Sequence, residues 1–215
     1  MTYNIRTMGK PIISKINGIC IGGGFELIIM TDLIIAADHA KFIPGESAVG
    51  LVPCAGSTQF LTAVVGDKRA RWALYTDEPI DASSALEWGL VNKVVPRGKL
   101  DDEVEKVYNI LLNRSMWALR YLKTSMNVWV DLVHHTFNQG RDAWTLDALL
   151  PDASDSCTAF ADKKAVNWIE RRKDLAKGDA WEFRWGAEDK SCPHCGANKL
   201  PRKFKYCGVC GKQLN

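Results

Sequence analysis

The chain has 215 residues, of which 47% are hydrophobic and 25% charged, a balance that excludes a disordered polypeptide and is typical of a globular protein. Its net charge of +3 is too small to indicate a nucleic-acid partner, and the basic excess lies in residues 189–215. The opening residues contain no apolar signal segment, and the most apolar stretch, 18–37, carries Glu26 and Asp32. We therefore expect no membrane span and a cytoplasmic location.

Strand and helix patterns alternate over the N-terminal half, which favours parallel βα units and an α/β fold. Between the helices and strands lies one long loop, 44–56, rich in proline and glycine. Asp81 is placed to cap a helix, and Gly89 is placed to end it. In chain order we predict a strand at 11–17, a helix at 24–31, strands at 33–37 and 41–43, helices at 57–65, 67–75 and 82–88, and a strand at 91–95.

From residue 101 onward the apolar positions recur at three- and four-residue spacing, which predicts helices over 101–113, 115–128 and 130–149. A segment rich in lysine, aspartate, glycine and tryptophan then leads to a cysteine-rich tail. The predicted division is a core at 1–98, a helical subdomain at 99–175, a linker at 176–189 and a tail module at 190–215.

A glycine triplet, Gly22–Gly24, stands between the first predicted strand and helix, and Glu26 follows it inside an apolar helix. Glycine lets backbone N–H groups approach a ligand closely, and the start of a helix adds partial positive charge. Such a donor can hold an oxygen that becomes negative during a reaction. A buried carboxylate is costly unless it is bonded or functional. Tight packing of strand against helix, and a purely structural glutamate, are the alternatives.

An ordered set of motifs extends from Lys10 to Pro53. Its residues are Lys10-Pro11, Asn17-Gly18, Gly22-Gly23-Gly24, Glu26, Asp32, Ala40, Phe42, Glu46, Gly50 and Pro53. This set resembles the crotonase (enoyl-CoA hydratase/isomerase) superfamily. The resemblance extends over roughly residues 5–175 and implies a partial crotonase-like ββα spiral with a C-terminal helical trimerisation subdomain.

The resemblance implies a role for each site residue. The Gly23 N–H would hold the thioester oxygen, with Gly22 and Gly24 beside the coenzyme A group. Glu26 and Glu46 would flank one water, one taking its proton and the other protonating the substrate. The expected function is an acyl-CoA hydratase or lyase of fatty-acid metabolism, with an acyl-CoA as its substrate.

Several departures from the family pattern affect the substrate prediction. Pro44-Gly45 precedes Glu46 where many hydratases have Gln-Pro, Ser57 replaces a glycine, and Phe60 stands where arginine is common. Because the loop 44–56 has small side chains, it leaves room for a bulky acyl group. A crotonase-fold hydrolase or C–C bond enzyme acting on a cyclic acyl-CoA is therefore one alternative. A non-catalytic subunit whose tail recruits a partner is another.

The N-terminal half of the family fold would precede Lys10, so we expect either a fragment or a separate chain that supplies that half. Near residue 170, WIERRK resembles the family segment that covers a neighbouring subunit's coenzyme A, with Trp168 and Arg171 at the matching positions. An ordinary charged helix end is the alternative. Dense large apolar residues between 117 and 133 also favour a homotrimer or hexamer.

The tail contains two CxxCG motifs, in which Cys192, Cys195, Cys207 and Cys210 predict a closed four-thiolate metal site. Four cysteines leave no position for water, so the site is expected to be a structural zinc ribbon. Iron binding of the rubredoxin type and a redox dithiol pair are the alternatives. The basic residues around the motifs suit either a macromolecular contact or a solvated surface.

Overall fold

The computed structural model describes residues 2–177, 186 and 189–214. The chain divides into two compact units, Met1–Trp144 and Thr145–Asn215. Most of the predicted linker over 176–189 lies outside the described residues. The separation of a core at 1–98 from a helical subdomain at 99–175 stays a prediction.

The first unit alternates strands and helices before a series of longer helices, so the predicted α/β class is confirmed. The last of these helices continues past the boundary between the units. In chain order the elements are α1 (Thr2–Thr7), β1 (Ile13–Ile16), β2 (Ile19–Ile21), α2 (Gly23–Ile29), β3 (Leu33–Ala37), β4 (Lys41–Ile43), a 3-10 turn (Ser47–Val49), α3 (Ser57–Val65), α4 (Asp67–Thr76), β5 (Ile80–Asp81), α5 (Ala82–Glu87), β6 (Lys93–Val95), a second 3-10 turn (Arg97–Lys99), α6 (Leu100–Leu112), α7 (Met116–Met126) and α8 (Val128–Asp147).

Two small sheets organise this unit. The first has the order β1-β3-β6 with parallel pairing throughout. The second has the order β2-β4-β5, in which β2 and β4 are parallel and β5 is antiparallel. The first four strands alternate between the two sheets, so β2 and β4 carry the chain away from the first sheet before α2 and α3. Both turns on which the candidate site rests follow strands of the second sheet.

The central strand β3 is covered on both faces, as parallel strands usually are. Ile34 and Ala36 join the main core, together with residues of α2, α3 and α4. Ile35 and Ala37 face the opposite side and pack with Leu100 at the start of α6. Because alternate side chains point to opposite faces, the uninterrupted apolar run of β3 packs against helices on both faces of the sheet.

A buried ion pair ties α7 to the strands. Lys123 Nζ donates to Asp32 Oδ2 at 2.7 Å and to the carbonyl oxygens of Ile5 and Lys10 at 2.9 Å each. Asp32 Oδ2 also accepts from the Ile12 N–H at 2.8 Å. The side chains of Lys123 and Asp32 are only 5% and 20% exposed, so each depends on the other for solvation.

Replacing Lys123 with methionine is expected to lower the free energy of unfolding by about 3 kcal/mol. The substitution keeps a long apolar side chain but leaves the Asp32 carboxylate buried without its cation, and breaking one partner of a buried pair costs about that much. Urea unfolding of the purified protein measures the change.

The matched control is Lys15→Met. Lys15 also pairs with an aspartate, Asp101, at 2.6 Å, but those side chains are 47% and 85% exposed. Exposed pairs contribute about 0–1 kcal/mol, so this variant should unfold almost as the wild type does. Equal losses in the two variants would contradict a stabilising role for the buried pair.

The second unit contains α9 (Pro151–Ala161), α10 (Trp168–Ala176) and the cysteine-rich tail. Helix α9 was not predicted, because serine, threonine and aspartate dominate its sequence and favour caps and turns in isolation. A proline at its first turn and two buried small residues, Ala153 and Ser156, accompany the helix. Strand β2 was also missed, since three residues between Gly18 and Gly22 are too few for a periodic pattern.

Candidate active site and candidate metal site

The turn between β2 and α2 requires glycine at position 22. Gly22 has φ 57° and ψ −129°, and its N–H donates to the carbonyl oxygens of Ile43 at 3.1 Å and Pro44 at 2.8 Å. These bonds hold the loop after β4 over the start of α2. Gly23 is the first residue of α2, so its N–H has no acceptor within its own helix. A Cβ at Gly23 would meet no atom within 4 Å, so the first turn of α2 is open on that side.

Glu26 lies one turn into α2 and is only 4% exposed. Its Oε1 accepts the Ala55 N–H at 2.7 Å and the Ser57 hydroxyl at 3.4 Å. Burial raises the pKa of this carboxyl, and the N–H groups of Cys54, Ala55 and Ser57 oppose the rise because they favour the ionised form. The start of α3 thus orients the Glu26 carboxylate.

Glu46 precedes the 3-10 turn in the loop after β4 and comes close to Gly22. Its Oε1 lies 3.7 Å from the point where a Gly22 Cβ would stand. Its Oε2 is buried, and within the described part of the chain no donor lies within hydrogen-bonding distance of it. A buried polar atom without a partner is rare in folded proteins and is often found where a site binds or reacts.

The structure places the two predicted glutamates near enough to interact. Burial, and then the charge of Glu26, raise the pKa of Glu46 to about 7, with a smaller contribution from Asp77. Two neighbouring carboxyl groups that share an apolar setting hold their protons unequally. At neutral pH the pair can therefore offer one group that donates a proton and one that accepts it.

Sequence reasoning missed the groups that orient the pair. Ser57 was noted only as a replacement for a glycine, whereas its hydroxyl and N–H both contact Glu26. Asp77 was not singled out at all. Its position between α4 and a Glu-Pro sequence marks a turn, but nothing local shows that its side chain reaches the Glu46 loop.

Residues 2–171 match the family model described as enoyl-CoA hydratase/isomerase. The match covers most of the chain and includes Gly22, Gly23, Glu26 and Glu46. The chain belongs to the enoyl-CoA hydratase/isomerase family. The predicted crotonase-like fold is therefore confirmed.

Among curated proteins, the crotonyl-CoA hydratase of Syntrophomonas wolfei subsp. wolfei is 36% identical over 168 residues, which are 78% of this chain and 65% of that protein. The chain thus spans slightly less than two thirds of the length of this relative. Among solved structures, an enoyl-CoA hydratase from Mycobacterium avium subsp. paratuberculosis K-10 is similar with a TM-score of 0.74 and 26% identity, over 77% of this chain and 68% of that chain. A methylmalonyl CoA decarboxylase is similar with a TM-score of 0.70 and 27% identity, over 77% and 66%.

Trp168 and Arg171, predicted by the family resemblance to contact coenzyme A, lie on α10 in the second unit. Arg171 Nε donates to Asp152 Oδ1 at 2.8 Å, so its charge is already paired within that unit. Both residues line a cavity of about 210 Å³ together with three aspartates, Asp152, Asp155 and Asp174. The role of Trp168 and Arg171 in coenzyme A binding stays a prediction.

The tail cysteines converge, although they lie beyond the residues that the family model matches. The four Sγ atoms all lie within 4.8 Å of one another, with Cys192–Cys210 and Cys195–Cys207 at 3.7 Å. A tetrahedron with metal–sulfur bonds of about 2.3 Å has sulfur–sulfur edges of about 3.8 Å. The four thiols therefore fit one tetrahedral metal ion.

The two CxxCG motifs adopt the same local geometry. The N–H groups of His194 and Val209 each donate to the first sulfur of their motif at 3.4 Å. A small apolar cluster holds the motifs together, and the isolated bridges Lys190–Leu200 and Tyr206–Gln213 extend them. The buried members of the cluster are Cys192, Leu200, Cys207 and Leu214.

Among the residues that the structure describes, no helix combines the length and apolarity needed to cross a membrane.

Proposed function

We propose that the protein is an acyl-CoA lyase of the enoyl-CoA hydratase type, which adds water across the double bond of an enoyl-CoA. The observation that carries this proposal is the interacting carboxyl pair, in which Glu26 is held by donors from three residues while Glu46 has a pKa of about 7. Proton transfer is most effective when the pKa of the acid lies near the working pH.

In the proposed mechanism the two glutamates have different roles. Glu26, whose ionised form is favoured by its donors, takes a proton from water as the water oxygen bonds to C3. The electrons of the double bond move to the thioester oxygen, which the Gly23 N–H stabilises as an enolate. Glu46, about half protonated at neutral pH, then protonates C2. The net result is the addition of one hydrogen and one hydroxyl group, and coenzyme A remains attached.

The direct experiment is the hydration of crotonyl-CoA by the full-length protein, followed by the loss of the enoyl thioester absorbance. A 3-hydroxyacyl-CoA product supports the proposal. Thioester binding without any turnover would instead support a non-catalytic subunit, in which the ribbon serves to recruit a partner.

A hydrolase or C–C bond enzyme acting on a cyclic acyl-CoA is the second candidate. The loop beside Glu46 has small side chains at Ser47, Ala48 and Ala55, which favour a bulky acyl group. The similarity to a methylmalonyl CoA decarboxylase also shows that one solved structure with this fold is named for breaking a C–C bond. Two substrates separate the candidates. Free coenzyme A released from cyclohexene-1-carbonyl-CoA would indicate a hydrolase, and ring opening of 2-oxocyclohexane-1-carbonyl-CoA by water would indicate a C–C bond enzyme.

The four tail cysteines are proposed to hold a structural zinc ion, which would make residues 190–215 a zinc ribbon. Four thiolates complete the coordination of zinc and leave no open position for catalysis.

All seven cysteines are free in the structure, which fits a reducing compartment, and we propose a cytoplasmic location on this basis.

Helix α7 supports the proposal of a homotrimer or hexamer. Large apolar side chains are exposed along much of this helix, and the Trp117 and Tyr121 rings stack with centroids 6.3 Å apart. An apolar patch of this kind is typical of an interface between proteins. The exposed side chains are Met116, Trp117, Tyr121, Leu122 and Met126.

Sedimentation at micromolar concentration should therefore give at least three times the mass of the 23.9 kDa chain. The double variant Trp117→Glu/Tyr121→Glu is expected to dissociate, because it places charge in an apolar contact. Tyr75→Glu is the matched control, since Tyr75 is an exposed aromatic residue on α4. A wild-type monomer would refute the assembly.

A further inference from the structure

Asp77, at the end of α4, has an unusual backbone conformation. Asp77 is the C-cap of α4 and has φ 51°, a left-handed conformation that few residues other than glycine adopt without cost. Aspartate tolerates this conformation better than most residues do, but glycine would fit it without strain. A side chain at this position therefore needs a compensating interaction.

That interaction is a set of three short hydrogen bonds to the loop that carries Glu46. Asp77 Oδ1 accepts the Gly45 N–H at 2.7 Å. Asp77 Oδ2 accepts the Ser47 hydroxyl at 2.6 Å and the Ala48 N–H at 2.7 Å. All three donors are neutral, and they lie on both sides of Glu46 in the chain. Hydrogen bonds to an ionised acceptor are about twice as strong as neutral ones.

Gly45 is adapted to this arrangement. It has φ 87°, and a Cβ there would come within 2.9 Å of Ile21 Cγ1. Proline has no N–H and its φ is confined near −65°, so it could neither donate to Asp77 nor adopt this backbone. The glycine at 45 and the aspartate at 77 thus depend on each other.

We propose that Asp77 is a positioning residue, whose carboxylate clamps residues 45–48 and so holds the Glu46 carboxyl group against Gly22 and beside Glu26. This inference rests on the proposed function, in which Glu46 is the proton donor. A small displacement of a reacting group can cost up to about 10²-fold in rate, so a clamp on both sides of Glu46 has a direct catalytic use.

The charge of Asp77 has a second effect on Glu46. The titratable groups that face the Glu46 carboxyl are Glu26 on α2, Cys54 in the loop before α3, and Asp77 at the end of α4. The negative charges of Glu26 and Asp77 both raise the pKa of Glu46. Loss of the Asp77 charge should therefore lower this pKa and shift the protonation of Glu46 to lower pH.

Two substitutions test the clamp and the charge. Asp77→Gly removes the three hydrogen bonds but suits the left-handed backbone, so the protein should still fold. We expect faster amide exchange across residues 45–50 and a kcat for crotonyl-CoA hydration lowered about tenfold or more, with KM changed less. Asp77→Asn removes the charge and keeps at most two of the three hydrogen bonds, because its amide nitrogen cannot accept one. The titration of the Glu46 carboxyl, followed by carbon NMR, should move to lower pH in this variant.

The control is Asp101→Asn, since Asp101 is an exposed aspartate on α6 that pairs with Lys15 outside the site. It should leave exchange, titration and kcat unchanged. If Asp77→Gly keeps both the protection of 45–50 and the wild-type kcat, Asp77 does not position Glu46. If Asp77→Asn leaves the Glu46 titration unmoved, the charge of Asp77 does not act on Glu46. If the wild type fails to hydrate crotonyl-CoA but the exchange and titration change as expected, the clamp stands and the hydratase function fails.

Discussion

Glu46→Gln is expected to lower kcat for the hydration of crotonyl-CoA by on the order of 10²–10⁴-fold, because glutamine keeps the size of the side chain but cannot transfer the proton. Glu26→Gln should cause a loss of the same order, since the pair works as one unit and neither half of the proton transfer proceeds alone. Stopped-flow or steady-state measurement on the full-length protein gives both values.

The control for both substitutions is Glu87→Gln. Glu87 lies at the end of α5, pairs with Arg69 at 2.8 Å and has a side chain that is 72% exposed. It should retain wild-type turnover. Near wild-type hydration in the Glu26 and Glu46 variants would remove the catalytic assignment of the pair.

The same Glu46→Gln variant should differ from the wild type in how its stability depends on pH. The pKa of Glu46 rises from 4.5 to about 7 on folding, so the unfolded chain loses this proton at lower pH than the folded protein does. The wild type therefore loses stability as the pH rises from about 4.5 to about 7, and the variant lacks this loss. Across that window the free energy of unfolding of the variant should rise relative to the wild type. If the difference in free energy of unfolding between variant and wild type stays constant from pH 4 to pH 8, Glu46 keeps an ordinary pKa in the folded protein.

Removal of the tail metal is expected to unfold residues 190–214 completely and to leave the first unit folded. Two buried leucines contribute only about 3–6 kcal/mol, whereas the ordering of about 25 residues costs several times more. Structural zinc supplies about 10–16 kcal/mol in comparable modules, so folding and metal binding should be one event. The first unit has its own core of buried residues from α2 to β6 and does not need the ion.

Elemental analysis should find one metal ion per chain, and an absence of visible absorbance would distinguish zinc from iron. Chelation, or the variant Cys195→Ser, should make the tail sensitive to protease while urea unfolding of the remainder is unchanged. Cys157→Ser is the control, because Cys157 is exposed on α9 and outside the cluster. A metal content near zero, or disulfides within the tail, would refute the zinc ribbon.

Much of the fold could be predicted because its signals are local. The apolar run of β3 and the helix α3 were predicted at 33–37 and 57–65, and they lie at Leu33–Ala37 and Ser57–Val65. The cap at Asp81 was also predicted correctly, and its side chain accepts the Ser84 N–H at 2.7 Å. Helix α9 could not be predicted in this way, since its residues have low helix propensity and depend on packing within the second unit.

The sequence by itself determined most of the strands and helices of the first unit, the two glutamates and the cysteine spacing, because periodicity, turn chemistry and ligand spacing are all properties of short segments. Only the tertiary structure showed that Lys123 reaches Asp32 across 91 residues, that Ser57 holds Glu26, and that Asp77 clamps the loop of Glu46. These contacts join segments that are far apart in the chain. The charge of Glu26, which together with burial raises the pKa of Glu46 to about 7, also acts between residues of different segments. Burial and Coulomb interactions depend on distances in three dimensions, which no local pattern of residues specifies.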